Sequence, residues 1–331
     1  MVRKVVLAIA AAALTAAPTL AAEITPAVVY DLGGRADKSF NEAAFTGAER
    51  FKEETGIEYR DFEIQNDAQR EQALRRFAQQ GHDPIIAIGF SHAAAVEKVS
   101  QEFPETSFAI VDMVVEQPNV RSILFKEHEG SYLVGILAAM ASESGNVGFV
   151  GGMDIPLIRR FACGYVGGVK SVNPDAEVFQ NMTGTDGSAW NNPSRGAELT
   201  TSQIDRGADV IYHAAGGTGL GVLQAAADAG KLGIGVDSNQ NGEHPGSVLT
   251  SMLKRVDNAV FDTFTDAMNG AFEPGFNVLG LAEGGVGYAL DDNNADLITA
   301  EMQAAVDAAA EGIRSGEIEV HDYTSDGACP Y

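Results

Sequence analysis

Two cysteines, one tryptophan and 22 basic residues against 46 acidic ones are all that the 331 residues contain of these types. Each shortage excludes something. Neither Cys163 nor Cys329 has a second Cys or a His at ligand spacing, so no zinc motif is present and no metal site is expected. A formal charge of −24 argues against nucleic acid or anionic lipid as partner. Beyond the N-terminal segment no apolar run approaches the ~20 residues that a membrane span requires. The two cysteines leave two readings open. One is a disulfide, which an oxidising compartment would permit and which would stabilise by roughly 4 kcal/mol through loop closure. The other is a pair of unlinked buried thiols.

The chain begins with Arg3 and Lys4, continues as an apolar run from Val5 to Ala17, and reaches small residues at Thr19-Leu20-Ala21-Ala22. This is the pattern of a secretory signal peptide over residues 1–22, cleaved near Ala22, rather than of a buried helix or a membrane anchor. No Cys lies near that cleavage site, which argues against a lipid anchor. Cleavage would leave about 309 residues and a net charge near −26. That length suggests two domains.

From Thr25 onward, apolar β-rich runs alternate with helical patterns. Strands are expected near 25–31, 58–63, 84–88, 107–111, 119–126, 146–150, 176–181, 208–213, 232–236 and 247–252. Runs such as Pro84-Ile85-Ile86-Ala87-Ile88 are continuously apolar, as strands of a parallel sheet covered on both faces must be. The class is therefore α/β, doubly wound. Two stretches look like one device used twice: Ile86 to Asp112, and Val210 to Asp237. Each runs strand, glycine turn, helix, strand, Asp, with the Asp 23 residues after Gly89 and 21 after Gly216. Two similar lobes follow, with a first lobe over 23–127 plus 252–276 and a second over 128–251 plus 277–331. Crossings near 126–130, 248–254 and 275–285 would serve as hinges.

Several turns carry candidate chemistry. The apolar run Val28-Val29-Tyr30 stops at Asp31, turns on Gly33 and Gly34, and starts a helix at Phe40 and Asn41, the place where an open sheet receives a small molecule. Gly89-Phe90-Ser91-His92-Ala93 approaches the nucleophile elbow of α/β-hydrolases but ends in Ala, which favours Ser91 as a helix N-cap or a hydrogen-bond donor to a ligand. Gly216-Gly217-Thr218-Gly219-Leu220-Gly221 imitates a dinucleotide fingerprint, yet Val222 stands where the third glycine belongs. What remains is close backbone approach at a helix start, suited to a neutral ligand. No cofactor is expected. Asp112 and Asp237 end strands at matched positions, where carboxylates can accept from a vicinal diol. Lys254 lies beyond Thr250-Ser251 at a crossing, within reach of a cleft. Trp190 sits in a loop, as a cap on the core or a stacking surface.

Together with Asp37-Lys38-Ser39-Phe40-Asn41, Gly130-Ser131-Tyr132-Leu133-Val134-Gly135, Val147-Gly148-Phe149-Val150-Gly151-Gly152 and Gly235-Val236-Asp237-Ser238-Asn239-Gln240, these residues resemble the basic membrane protein family of ABC-transporter solute-binding proteins. That family includes purine nucleoside receptors and has the type I periplasmic-binding fold. The resemblance implies that Phe40 and Trp190 sandwich a base, that Asp31 and Asn41 read its edge, that Asp237 and Lys254 hold the ribose, and that Asp112 adds a polar contact. It further implies a monomeric periplasmic receptor without catalysis, delivering a nucleoside to a membrane permease; many family members are lipoproteins, and the lack of the lipid-attachment Cys here indicates a freely diffusing form. A pentose or other sugar derivative is the alternative ligand, and a secreted hydrolase the remaining one.

Overall fold

The computed structural model describes residues 24–331. The expected signal peptide and its cleavage site lie outside them. Two six-stranded sheets form the frame, with matching strand orders. The first contains β1 (Ala27–Tyr30), β2 (Arg60–Glu63), β3 (Ile85–Ala87), β4 (Phe108–Val111) and β5 (Val120–Phe125), in the order β2-β1-β3-β4-β5. The second repeats this arrangement with β6 (Asn146–Met153), β7 (Glu177–Gly184), β8 (Val210–Ala214), β9 (Leu232–Asp237) and β10 (Val248–Lys254), in the order β7-β6-β8-β9-β10. These ten strands pair in parallel with their sheet neighbours, and β1, β3, β4 and β8 are completely buried. Their unbroken apolar runs are the cause, because helices cover both faces.

Two further strands, which the apolar-run pattern did not indicate, complete the edges. β11 (Gly275–Leu279) pairs in parallel with β5, and β12 (Val286–Tyr288) pairs antiparallel with β10. The second sheet is therefore mixed. A change of lobe at 251/252 would fall inside β10, which stays in the second sheet through Lys254, and one at 276/277 would cut β11, which stays in the first through Leu279. The chain changes sheet after β5, after β10 and after β11. The three crossings lie side by side, with the Lys126 N–H donating to Leu279 O (3.0 Å) and the Arg255 N–H to Gly285 O (2.8 Å).

Helix α1 (Phe40–Thr55) covers the first sheet and packs on α8 (Val256–Met268), which the chain returns to contribute. In the second lobe α4 (Glu127–Ala141) and α5 (Pro156–Val172) lie in close contact. Glycine makes that approach possible: a Cβ on Gly168 would sit 2.0 Å from the Tyr132 carbonyl oxygen, and one on Gly164 would sit 2.4 Å from that of His128. Near the end of the chain, after α9 (Ala300–Ser315), Cys329 is bonded to Cys163 on α5.

Gly168→Ala should accordingly destabilise the protein by about 1–3 kcal/mol, the usual penalty for overpacking. Urea unfolding measures it. A loss under about 0.5 kcal/mol, typical of surface changes, would show that α4 and α5 have room to part.

Candidate functional site

A 2-1-3-4-5 strand order reverses direction between its strands 1 and 3, and the carboxyl ends there leave a crevice. Asp31 follows β1 and Gly89 follows β3; in the other lobe Gly216 follows β8. All three line one cavity between the lobes. Phe40, Asn41, Asp112, Trp190, Asp237 and Lys254 line it as well.

The two matched aspartates share an uncommon backbone state. Asp112 has φ +70° and Asp237 has φ +64°, in the left-handed region that Asp tolerates better than most residues. Lys254, 2% exposed, donates to Asp112 Oδ2 at 2.7 Å and lies 2.9 Å from Glu127 Oε1. Its ammonium also stands 5.1 Å from the centre of the Phe40 ring. Burial disfavours that charge, but Asp112, Glu127 and Asp237 more than offset it and hold Lys254 protonated. Asp112 Oδ1 is buried and has no partner among the described residues, which leaves an acceptor available to a ligand.

Asp237 faces the opposite lobe. Its Oδ2 accepts from Ser39 Oγ at 2.6 Å, Ser238 Oγ donates to Ser39 O at 2.8 Å, and Gln240 Nε2 donates to Lys38 O at 3.0 Å. These bonds latch the start of α1 onto the end of β9, so the cleft is closed. Burial pushes the Asp237 carboxyl up to about 7 and Asp112 up to about 6, each partly countered by Lys254.

Asp31 is held tightly. Its Oδ1 accepts from the Leu32 N–H (2.7 Å) and from Arg70 Nη1 (2.6 Å), and its Oδ2 from Ser91 Oγ (2.5 Å). Ser91 is therefore neither an N-cap nor a lining residue: its hydroxyl is taken up by Asp31, and α3 (Ala93–Glu102) starts after His92. Asn41 lines the cavity, yet its Oδ1 accepts the Asp31 N–H (3.0 Å) and its Nδ2 donates to Asp37 Oδ2 (3.2 Å) and Asp31 O (3.5 Å). Both amide hydrogens are engaged, so in this arrangement Asn41 braces Asp31. Asp37 caps the first turn of α1, accepting N–H bonds from Ser39, Asn41 and Glu42.

Trp190 ends a short 3-10 turn, Gly187–Trp190, and its ring lies over Gly152 of β6, where a Cβ would come within 2.1 Å of it. Sequence reasoning overlooked Phe161, Leu157 and Ile158, which bring the first two turns of α5 to the cavity, and Phe90 after β3. The internal repeat held the signal, since α5 follows the first strand of the second lobe as α1 follows β1. Among the described residues, four carboxylates line the cavity, those of Asp31, Asp37, Asp112 and Asp237, against one lining cation, Lys254.

Residues 24–324 match the Bmp family, described as ABC transporter substrate-binding protein, PnrA-like. The chain belongs to this family. It is 35% identical to a CD4+ T-cell-stimulating antigen of Listeria monocytogenes, over 90% of this chain and 88% of the relative. It is 32% identical to the ABC transporter nucleoside-binding protein BmpA of Lactococcus lactis, over 90% and 89%. A solved solute-binding protein of an ABC transporter system from Aeropyrum pernix superposes with a TM-score of 0.82 at 31% identity, covering 90% of this chain and 93% of that one. More distant structures such as the lac repressor dimer, at 12% identity and a TM-score of 0.58, share the fold. This Bmp protein is thus an ABC transporter solute-binding protein with two parallel-sheet lobes.

The Asp237 carboxyl sets a pH dependence. Because the folded state raises its pKa, the group costs nothing below its unfolded value near 3.8 and destabilises increasingly as the pH rises toward 7. Asp237→Asn should therefore raise the unfolding free energy of the ligand-free protein by roughly 1–3 kcal/mol at pH 8 and little at pH 4. Denaturant titrations at the two pH values decide it, and equal effects would remove burial as the cause.

Proposed function

We propose that this Bmp protein binds a purine nucleoside in the closed cavity, in the periplasm and as a monomer, and hands it unchanged to a membrane permease. The observation that carries the reading is the meeting of aromatic rings from opposite lobes, Phe40 and Trp190, with the unpartnered Asp112 Oδ1 and the Lys254 ammonium. A base is a flat, neutral π-system that stacks at about 1–3 kcal/mol per ring. A ribose diol both donates and accepts, which suits a carboxylate beside an ammonium. Asp31, braced by Arg70 and Ser91, supplies an acceptor for an N–H on the base edge, while Asp237 and Lys254 hold the hydroxyls. The name of the Lactococcus relative supports the same ligand class. Ser91 donates to a carboxylate rather than to a histidine, so the elbow-like sequence gives no support to a hydrolase.

Isothermal titration of protein that has been unfolded and refolded, to remove carried ligand, tests the proposal. Guanosine, inosine or adenosine should bind saturably with a change in Trp190 fluorescence. Guanosine 5′-monophosphate should bind at least about tenfold more weakly, since its phosphate would meet four carboxylates and one cation. Phe40→Ala should weaken nucleoside binding by about tenfold or more. Heat from ribose alone, matching that from nucleosides, would overturn the reading in favour of a sugar.

A further inference from the structure

Lys254 does not hold its place alone. Behind it, Glu127 is fully buried at the start of α4 and also accepts from Arg160 Nη1, at 3.0 Å, through Oε2. Arg160 is on α5, and all five of its N–H donors are engaged. Nη1 also donates to Phe125 O (2.9 Å), Nε and Nη2 donate to the two oxygens of Asp322 (2.8 and 3.0 Å), and Nη2 donates to Thr324 Oγ1 (2.5 Å). Asp322 and Thr324 belong to the C-terminal tail. A continuous line of charges thus runs from the cavity outward: Asp112, Lys254, Glu127, Arg160, Asp322.

The tail has little else to hold it. Residues 324–331 are exposed, and beyond Arg160 their anchorage is the Cys163–Cys329 bond, with Tyr331 against Gly167, the His321 N–H donating to Tyr331 Oη at 3.1 Å, and the His321 ring Nε2 3.2 Å from Asp326 Oδ1 and 3.0 Å from Ala328 O. Cys163 stands one helical turn beyond Arg160 on α5, and Phe161 of that turn lines the cavity. Were the tail to leave, Arg160 would lose three of its five bonds, and its side chain, 16% exposed, would be free to turn toward water. Glu127 would then depend on Lys254 for neutralisation and draw the ammonium away from Asp112.

We propose that Arg160 and Glu127 are positioning residues for the ligand-facing ammonium of Lys254, and that the disulfide-anchored C-terminal tail keeps Arg160 in that task. The disulfide then contributes to ligand affinity as well as to stability. This rests on the cavity being the ligand site.

The test uses the full mature chain with ¹³C,¹⁵N-labelled lysine. The Lys254 side-chain resonance is identified by its loss in Lys254→Met. In the ligand-free protein, the pair Cys163→Ser and Cys329→Ser should shift this resonance, and so should Asp322→Asn. Both variants should bind guanosine about tenfold more weakly, as expected on loss of a hydrogen bond to a charged group. Arg160→Lys should recover part of what Arg160→Met loses, which a purely space-filling role would not produce. If Arg160→Met fails to fold, the tail variants decide. An unmoved resonance in both tail variants overturns the proposal, whatever their affinity. If the wild-type protein binds no nucleoside, the nucleoside reading falls, while the Lys254 resonance still decides this one.

Discussion

A charged ammonium in a dry interior is the constraint on which this cleft depends. Removing Lys254 from water costs several kcal/mol unless carboxylates surround it, and both partners must arrive in the right geometry. One partner, Asp112, ends a strand of the first lobe; the other, Glu127, opens the first helix of the second. The ion pair therefore spans the crossing as well as the cleft. In this closed arrangement the pair is buried, and its carboxylates come from both sides of the cleft, so cavity and crossing share the same charges.

The lobes are alike in frame and unequal in chemistry. Strand orders match, and Asp112 and Asp237 share a left-handed backbone at corresponding strand ends. Yet Asp112 is tied to a cation while Asp237 is tied only to the Ser39 hydroxyl, and its charge is correspondingly less favourable. Lobe one braces the Asp31 carboxylate from behind with Arg70, whereas lobe two lays Trp190 over a glycine of β6. A single repeated scaffold thus presents a different functional group from each side.

Much of the fold could be read directly from the chain because parallel strands buried on both faces write themselves as unbroken apolar runs, as in Ile85-Ile86-Ala87. The edge strands could not. Gly275-Phe276-Asn277-Val278-Leu279 leaves Phe276 and Val278 exposed, and Val286-Gly287-Tyr288 is too short to stand out. In the cavity, Asp31, Phe40, Asp112 and Asp237 were legible because they sit where strands end and helices begin. Ser91 was misjudged since nothing local shows that a carboxylate 60 positions earlier takes its hydroxyl. The same holds for Arg160, whose partners Glu127 and Asp322 lie 33 and 162 positions away.

The edge strands also fix an order of assembly. The first sheet is not complete until β11 arrives, and α1 stays uncovered until α8 does, so the first lobe waits for residue 279 even though its other five strands end at Phe125. The second lobe, begun later in the chain, needs only β12 and the residues after it. Neither half is a contiguous piece that could finish alone on emerging from the ribosome. Contacts this distant in sequence form slowly. A chain of this topology completes its first sheet only once residue 279 is in place.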